Sequence, residues 1–529
     1  LKKSLPCIFK LLTFEEMRKI LIALLVVFVG LPSIAQDKNS QKYGNQITKE
    51  SLYGHLSVLA HDSLEGRDTG APGQKKAAAY IAKHFESYGL KPIVPTKNGM
   101  SYLQTFTLHR AYWGDVNYKI GNKTFKNGVD MVFQGSVPKS MNGRGDIVFV
   151  GKGDDADLAG LNLSGKTAML YSVGTNPEAK VNALKEKGAV AVMVVNTKND
   201  DDFNTTVGRL RNFVNSRRLS FPSTTEVPTN LLWIVSPAQA SSVTGKPMAE
   251  LERLVDANAS AAKNAWATMK PVRYTYNIQR IIEDVTTENV LGFLEGTDLK
   301  DEVIVLTAHY DHIGVNANGE INNGADDDGS GTSAIIDMAK AFTDAAKAGI
   351  RPRRSILFMP VTGEEKGLLG SRYYADMDPI IPHDKIVVNL NIDMIGRADD
   401  EHMESGDKNY LYIIGSEFLS SELKIINDYA NITYTNLNLD YRYDAPDDPN
   451  RFYFRSDHYS FAKYNTPVIF YFNGVHPDYH RPGDTIEKIE WEAFVKRTRL
   501  VFHTAWEIAH RDRKPVVDKV MEERLTQGR

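Results

Sequence analysis

Residues 303–312 read Val-Ile-Val-Leu-Thr-Ala-His-Tyr-Asp-His, and residues 323–331 read Asn-Gly-Ala-Asp-Asp-Asp-Gly-Ser-Gly. The first stretch is a short apolar run that ends abruptly in imidazoles and a carboxylate. A strand buried on both faces has that composition, and its polar end marks where it leaves the sheet. The second stretch is an acidic loop bounded by glycines, placed before helical spacing over 332–345. Working outward, the same grammar recurs. Apolar runs at 355–359, 386–392, 410–414 and 468–472 alternate with helical patterns around 368–375 and 417–429, and a long helix is expected at about 490–510. The alternation predicts an α/β fold, a mainly parallel mixed sheet with helices on both faces. In such sheets the reactive groups gather beyond the carboxyl ends of the strands.

Those ends are rich in metal-binding residue types. Thr362-Gly363-Glu364-Glu365 follows the second run, Asp393-Met394-Ile395-Gly396 the third, and His476 through Asp484 the last. Mixed imidazole and carboxylate donors suit zinc or a similar divalent ion. One catalytic zinc takes three protein ligands, and the acids here exceed that number, so a pair of ions sharing a carboxylate fits better. Each piece has a plainer reading alone. His309 suits a hydrogen-bonded core histidine, the acids at 326–328 a solvated turn or calcium loop, and Glu364-Glu365 a helix cap. Their joint placement on successive strand ends favours the metal.

Composition narrows the rest. The chain has 529 residues, 42% hydrophobic and 24% charged, which suits a globular protein of several domain-sized units. Lys plus Arg total 63 against 66 Asp plus Glu, so no basic excess invites nucleic acid. The single cysteine, Cys7, excludes a disulfide framework and a Cys-zinc site. Met17-Arg18-Lys19, an apolar run over 20–29 and small residues to Ala35 read as a signal peptide at 17–35, with 1–16 an over-extended start. The run is too short for a stable membrane anchor, so an exported protein, periplasmic or secreted, is expected. Residues 36–110 and 276–515 are expected to form one α/β domain, with 516–529 a tail. Residues 111–275 read as a β-rich insert, with runs at 147–150, 167–172, 190–195 and 231–235 and a helix at 179–187. Within it, Gly160 through Thr167 satisfies the Walker A pattern. That pattern binds phosphate only where it opens a helix, and here a strand is expected to follow, so no nucleotide is expected.

Residues 303–331, 358–371, 386–397 and 452–488 resemble the di-zinc aminopeptidase family that includes bacterial leucyl aminopeptidases and glutamate carboxypeptidase II. The stretch from Leu59 through Gly66-Arg67 to Pro72-Gly73 is similar to that family's opening motif, and Glu288-Asn289-Val290-Leu291-Gly292 to its lead into the first metal strand. The resemblance implies a zinc-peptidase, phosphorylase/hydrolase-like core, a protease-associated domain at 111–275, two Zn2+ per chain and peptide substrates. It implies His309 and Asp393 on one zinc, His480 and Glu365 on the other, Asp326 bridging them, and Glu364 as general base. Tyr453 is the closest match to the family's oxyanion-stabilising tyrosine, although a packing role suits it equally. Asp311 and Asp484 are candidate supports for His309 and His480. The acidic loops 399–404 and 440–448 are candidates to face a substrate α-ammonium. Removal of N-terminal residues is the expected reaction. A carboxypeptidase, dipeptidase or other metal-dependent amidohydrolase remains open, as does a receptor-like protein with an inactive site.

Overall fold

The computed structural model describes residues 36–256 and 270–520, apart from Asn215, Thr224 and Glu226. The expected signal peptide and the end of the expected tail lie outside the described residues. Two sheets organise the chain. The strands of the first are β1 (Gly292–Leu294), β2 (Leu299–His309), β3 (Arg354–Val361), β4 (Ile386–Ile392), β5 (Tyr410–Ile414), β6 (Asn438–Asp440) and β7 (Val468–Phe472). They lie in the order β1-β3-β2-β4-β7-β5-β6. The pairs β3–β2, β2–β4, β4–β7 and β5–β6 are parallel, while β1–β3 and β7–β5 are antiparallel. The sheet is mixed and mainly parallel.

Strand alternation divides the apolar residues between two layers. Ile304, Leu306, Ile356, Phe358, Val388 and Leu390 join one core with helices α1 (Lys38–Gly44), α2 (Lys49–Leu59), α3 (Pro72–Tyr88), α4 (Gly331–Lys347) and α5 (Trp491–His510). Val303, Val305, Leu357, Met359, Val468 and Phe470 join another, with Phe452, Tyr453, Phe461 and Tyr374. Both faces are therefore covered, which is why these strands read as unbroken apolar runs. α3 starts on Pro72 and stops at Gly89, whose φ of 87° is the left-handed cap expected there.

The second sheet has nine strands. Its spine is two long strands, Leu103–Ile120 and Val272–Val290, paired antiparallel from Leu103–Val290 to Ile120–Tyr274. The sequence reading did not anticipate them. The boundaries expected at 110/111 and 275/276 fall inside these strands, so a continuous ribbon joins the two sheets. Beyond it, Thr167–Tyr171, Ala191–Val195 and Leu231–Val235 are parallel neighbours, with helix Glu178–Glu186 between the first two. Thr167 opens a strand, so the Gly-Lys-Thr segment does not lead directly into a helix. Among the described residues, no helix is long and apolar enough to cross a membrane.

Candidate metal centre

The carboxyl ends of β2, β3, β4 and β7 meet at one rim, and the loop into α4 folds over it. His309 is the last residue of β2, Glu364-Glu365 follow β3, Asp393 follows β4, and His480 lies in the loop after β7. Asp327 stands between them. Its Oδ1 lies 3.2 Å from His309 Nε2, and its Oδ2 lies 3.3 Å from His480 Nε2. His309 Nε2 also lies 3.5 Å from Asp393 Oδ1 and 3.9 Å from Glu364 Oε2. His480 Nε2 lies 3.0 Å from Glu365 Oε2, and the other oxygen of Glu365 is 2.7 Å from His312 Nδ1. The arrangement is two donor sets that share one carboxylate.

This geometry corrects the expectation for Asp326. Its Oδ1 accepts from the Gly396 N–H at 2.6 Å and from Ser330 Oγ at 2.9 Å, and its Oδ2 faces His476 at 3.5 Å. Asp326 ties the acidic loop to the segment after Asp393, and Asp327 takes the shared position. Gly324 sets that turn with a φ of 56°, and a Cβ there would meet Asp327 O at 2.2 Å. Asp328 also lies close, its donor atoms within 4.8 Å of those of His309 and Asp393. Both its oxygens are taken, however, by the N–H groups of His309, Gly331 and Met394. It joins β2, β4 and α4.

The supporting residues differ from expectation as well. His309 Nδ1 donates to the backbone carbonyl of Asp311 at 3.0 Å, while the Asp311 carboxylate stays 3.9 Å away. That carboxylate instead accepts from Thr69 Oγ1 and from the Glu364 N–H. Asp311 thus fixes the tautomer of His309 and the backbone of Glu364 together. The Asp484 carboxylate accepts from the N–H groups of Asp326 and Asp327, and so holds the acidic loop rather than His480. Tyr453 is 3% exposed, packs its ring against Phe418 at 4.4 Å, and leaves its hydroxyl without a partner. It belongs to the core and does not line the pocket over the cluster. His458 is buried against Phe470, and burial lowers its pKa to about 3. Several acids of the two acidic loops are engaged within the protein. Asp399 accepts from His402 and Tyr412, Arg442 holds Glu401 and Asp440, and Asp444 accepts from Gly415 and Ser416.

Two residues outside the expected set help build the centre. His312 is fully buried behind Glu365. Arg67, 1% exposed, donates to the carbonyls of Tyr310, Asn323 and Gly324, at 2.8, 2.7 and 2.8 Å. One guanidinium therefore clamps the segment after His309 to the loop that carries Asp327. Gly66 allows this approach, since a Cβ there would meet Asn322 O at 2.4 Å. The opening motif Glu65-Gly66-Arg67 in the sequence was the signal for this clamp.

The electrostatics call for positive charge. Burial would lower the pKa of His480, yet hydrogen bonds to Asp327 and Glu365 overcome it and raise the value to about 10. His309 is likewise raised against its burial, by Asp393 and Asp327. Burial raises the carboxyl of Glu364 well above the usual range, opposed by His309. Asp327 Oδ2 and Glu365 Oε1 are buried and face the imidazole nitrogens of His480 and His312, at 3.3 and 2.7 Å. Buried acids in such density, with imidazole nitrogens facing them, fit cation binding. The pocket above is lined by Met394, Phe452, Arg455, Phe470, Phe472, Val475 and Tyr479 together with the acids.

Comparison with known proteins bears on this segment. Residues 289–505 match Peptidase family M28. The matched M28 region contains every donor of the cluster, and the resemblance read from the motifs stands. Aminopeptidase YwaD of Bacillus subtilis is 27% identical over 241 residues, covering 44% of this chain and 46% of its own length. Leucine aminopeptidase 2 of Trichophyton rubrum is 28% identical over 261 residues, covering 44% and 47%. The chain thus spans about half the length of the curated relatives it matches. The solved aminopeptidase from Aneurinibacillus sp. strain AM-1 is 19% identical, with a TM-score of 0.47 over 91% of this chain and 98% of that one.

Proposed function

We propose that the protein is an exported aminopeptidase, which hydrolyses N-terminal residues from peptides with two zinc ions per chain. The observation that carries the reading is the Asp327 carboxylate, whose two oxygens face His309 and His480 separately, each imidazole having a further acid beside it. His309, Asp393 and Asp327 would hold one ion, and His480, Glu365 and Asp327 the other, with His312 steadying Glu365. When bound, such a pair of ions acidifies water and polarises a peptide carbonyl. Glu364 then has a defined task. Its carboxylate sits at the edge of the first donor set, with its backbone N–H fixed by Asp311. It takes the proton from the attacking water and returns it to the leaving amine nitrogen. The apolar walls exclude bulk water from that transfer and accept a side chain. The ribbon-linked second sheet, residues 111–275 in the sequence reading, is proposed as a protease-associated domain that contributes packing or specificity rather than chemistry.

Metal analysis of purified protein beside a substrate panel tests this reading. Two zinc ions per chain and cleavage of free aminoacyl p-nitroanilides, with N-acetylated versions resistant, are expected. Cleavage of blocked but not free peptides would replace the aminopeptidase by another metal-dependent amidohydrolase. Metal-free protein without any hydrolysis would favour an inactive binding protein.

A further inference from the structure

The pocket over the donor cluster contains one cation that the reaction does not use. Arg455 lies between the turn Phe452–Phe454 and the buried Ser456-Asp457-His458, and its side chain is exposed at the pocket wall. Its backbone N–H bonds to Phe452 O, and its guanidinium lies 4.9 Å from the centroid of the Phe452 ring. Among the described residues it makes no ion pair. The acid next in sequence but one, Asp457, is fully buried, and neither of its oxygens has a hydrogen-bond partner. Arg397, by contrast, is neutralised by Asp478 at 2.8 Å. The pocket's own acids, Asp327, Asp393 and Glu364, lie 3.2, 3.5 and 3.9 Å from His309 Nε2.

We propose that Arg455 makes this pocket a receptor for a substrate carboxylate borne on a short aliphatic stem. The inference rests on the aminopeptidase reading and names its substrate class. Phe452, Phe470 and Phe472 take the methylenes, while the planar guanidinium, fixed on the Phe452 ring, offers paired N–H donors that match a carboxylate. Against an apolar wall this attraction is screened less than on open surface. A neutral branched side chain fills the same walls but leaves the cation unpaired. Two sources supply such a carboxylate: the side chain of an N-terminal Asp or Glu, or the free C-terminus of a dipeptide.

The test compares kcat/KM of zinc-loaded enzyme and of Arg455→Leu, in two arms. The first sets glutamyl and aspartyl p-nitroanilides against leucyl p-nitroanilide, and the second sets Leu-Leu against Leu-Leu-amide. The acidic member is expected to lead in one arm by about ten-fold or more, the usual net reach of a hydrogen bond to a charged group. That arm identifies the source, the lead disappears in Arg455→Leu, and Arg455→Lys keeps part of it. Calorimetric binding of glutamate against norvaline, to the same two proteins, reads the carboxylate preference without turnover. An inactive protein that binds glutamate through Arg455 would sink the aminopeptidase reading and keep this one. Equal acid-to-neutral ratios in wild type and Arg455→Leu, in both arms and in calorimetry, would overturn the proposal.

Discussion

The two sheets of this chain share an architecture and differ in what stands at their ends. In the second sheet, Thr167–Tyr171 and Ala191–Val195 are buried throughout and run parallel, much as β2, β3 and β4 do in the first. They end in Ser172 and Asn196, however, where β2 and β4 lead into His309 and Asp393. Among the described residues, both groups with metal-binding geometry belong to the first sheet. Parallel pairing therefore supplies a rim, and the side chains placed there supply the chemistry. The rims also differ in their support. Arg67, Asp328, Asp311 and Asp484 each hold backbone around the donor cluster, fixing where its side chains point.

The most damaging change to that rim is expected at its shared carboxylate. Asp327→Asn weakens both donor sets at once, so metal content should fall for both ions and activity by about 10³-fold or more. Asp326→Asn keeps an oxygen able to accept from Gly396 and Ser330, and its loss should stay near ten-fold. Metal stoichiometry with kcat for the two variants decides the matter. Equal metal loss in both would mean that the loop is one cooperative unit without a distinct bridging residue.

Next in size is the adjacent glutamate pair. Glu364→Gln preserves volume and removes the proton acceptor, so both ions should stay while turnover falls by about 10²–10⁴. Glu365→Gln removes charge between His312 and His480, so one ion should weaken and added zinc should restore part of the activity. If the metal content of the two variants were exchanged, the roles of the neighbours would be reversed.

How far this contrast was legible in the sequence depended on burial. β4, β5 and β7 match the expected runs residue for residue, because strands covered on both faces are apolar throughout and stop where polar loops begin. The strands Leu103–Ile120 and Val272–Val290 escaped notice, since they are exposed or half-buried along much of their length and mix charges with aromatics. His309, Glu365, Asp393 and His480 were singled out by strand ends and family motif, and their side chains meet at one rim. Asp327 was not, because three consecutive acids look alike in sequence. The non-helical backbone at Asp327, with φ −100° and ψ 98°, decides which of them faces the imidazoles. Tyr453 stayed open between a catalytic and a packing role for a related reason. A pattern match fixes a residue's place in the chain, but the ring turned into the core with Phe418.

The smallest expected effect sharpens the comparison from the second sheet. Lys166 precedes Thr167 in a segment that reads as phosphate-binding by letter, and the chain there enters a strand after a turn whose Gly165 has a φ of 71°. No helix N-terminus follows to gather backbone N–H groups on an anion. Thr167 Oγ1 is already engaged with Tyr274 Oη at 2.8 Å. The segment is a corner between sheet elements, remote in sequence and in sheet order from the metal rim. Lys166→Ala should therefore leave kcat and KM for a small aminoacyl p-nitroanilide within about two-fold, the range of a surface change away from any special feature. It should shift the thermal midpoint little. The measurement that matters is kcat/KM on a small substrate beside that on a longer peptide. A large loss on both with an unchanged midpoint would show that the second sheet reaches the chemistry. A loss confined to the longer peptide would give this sheet a hold on the substrate beyond the rim.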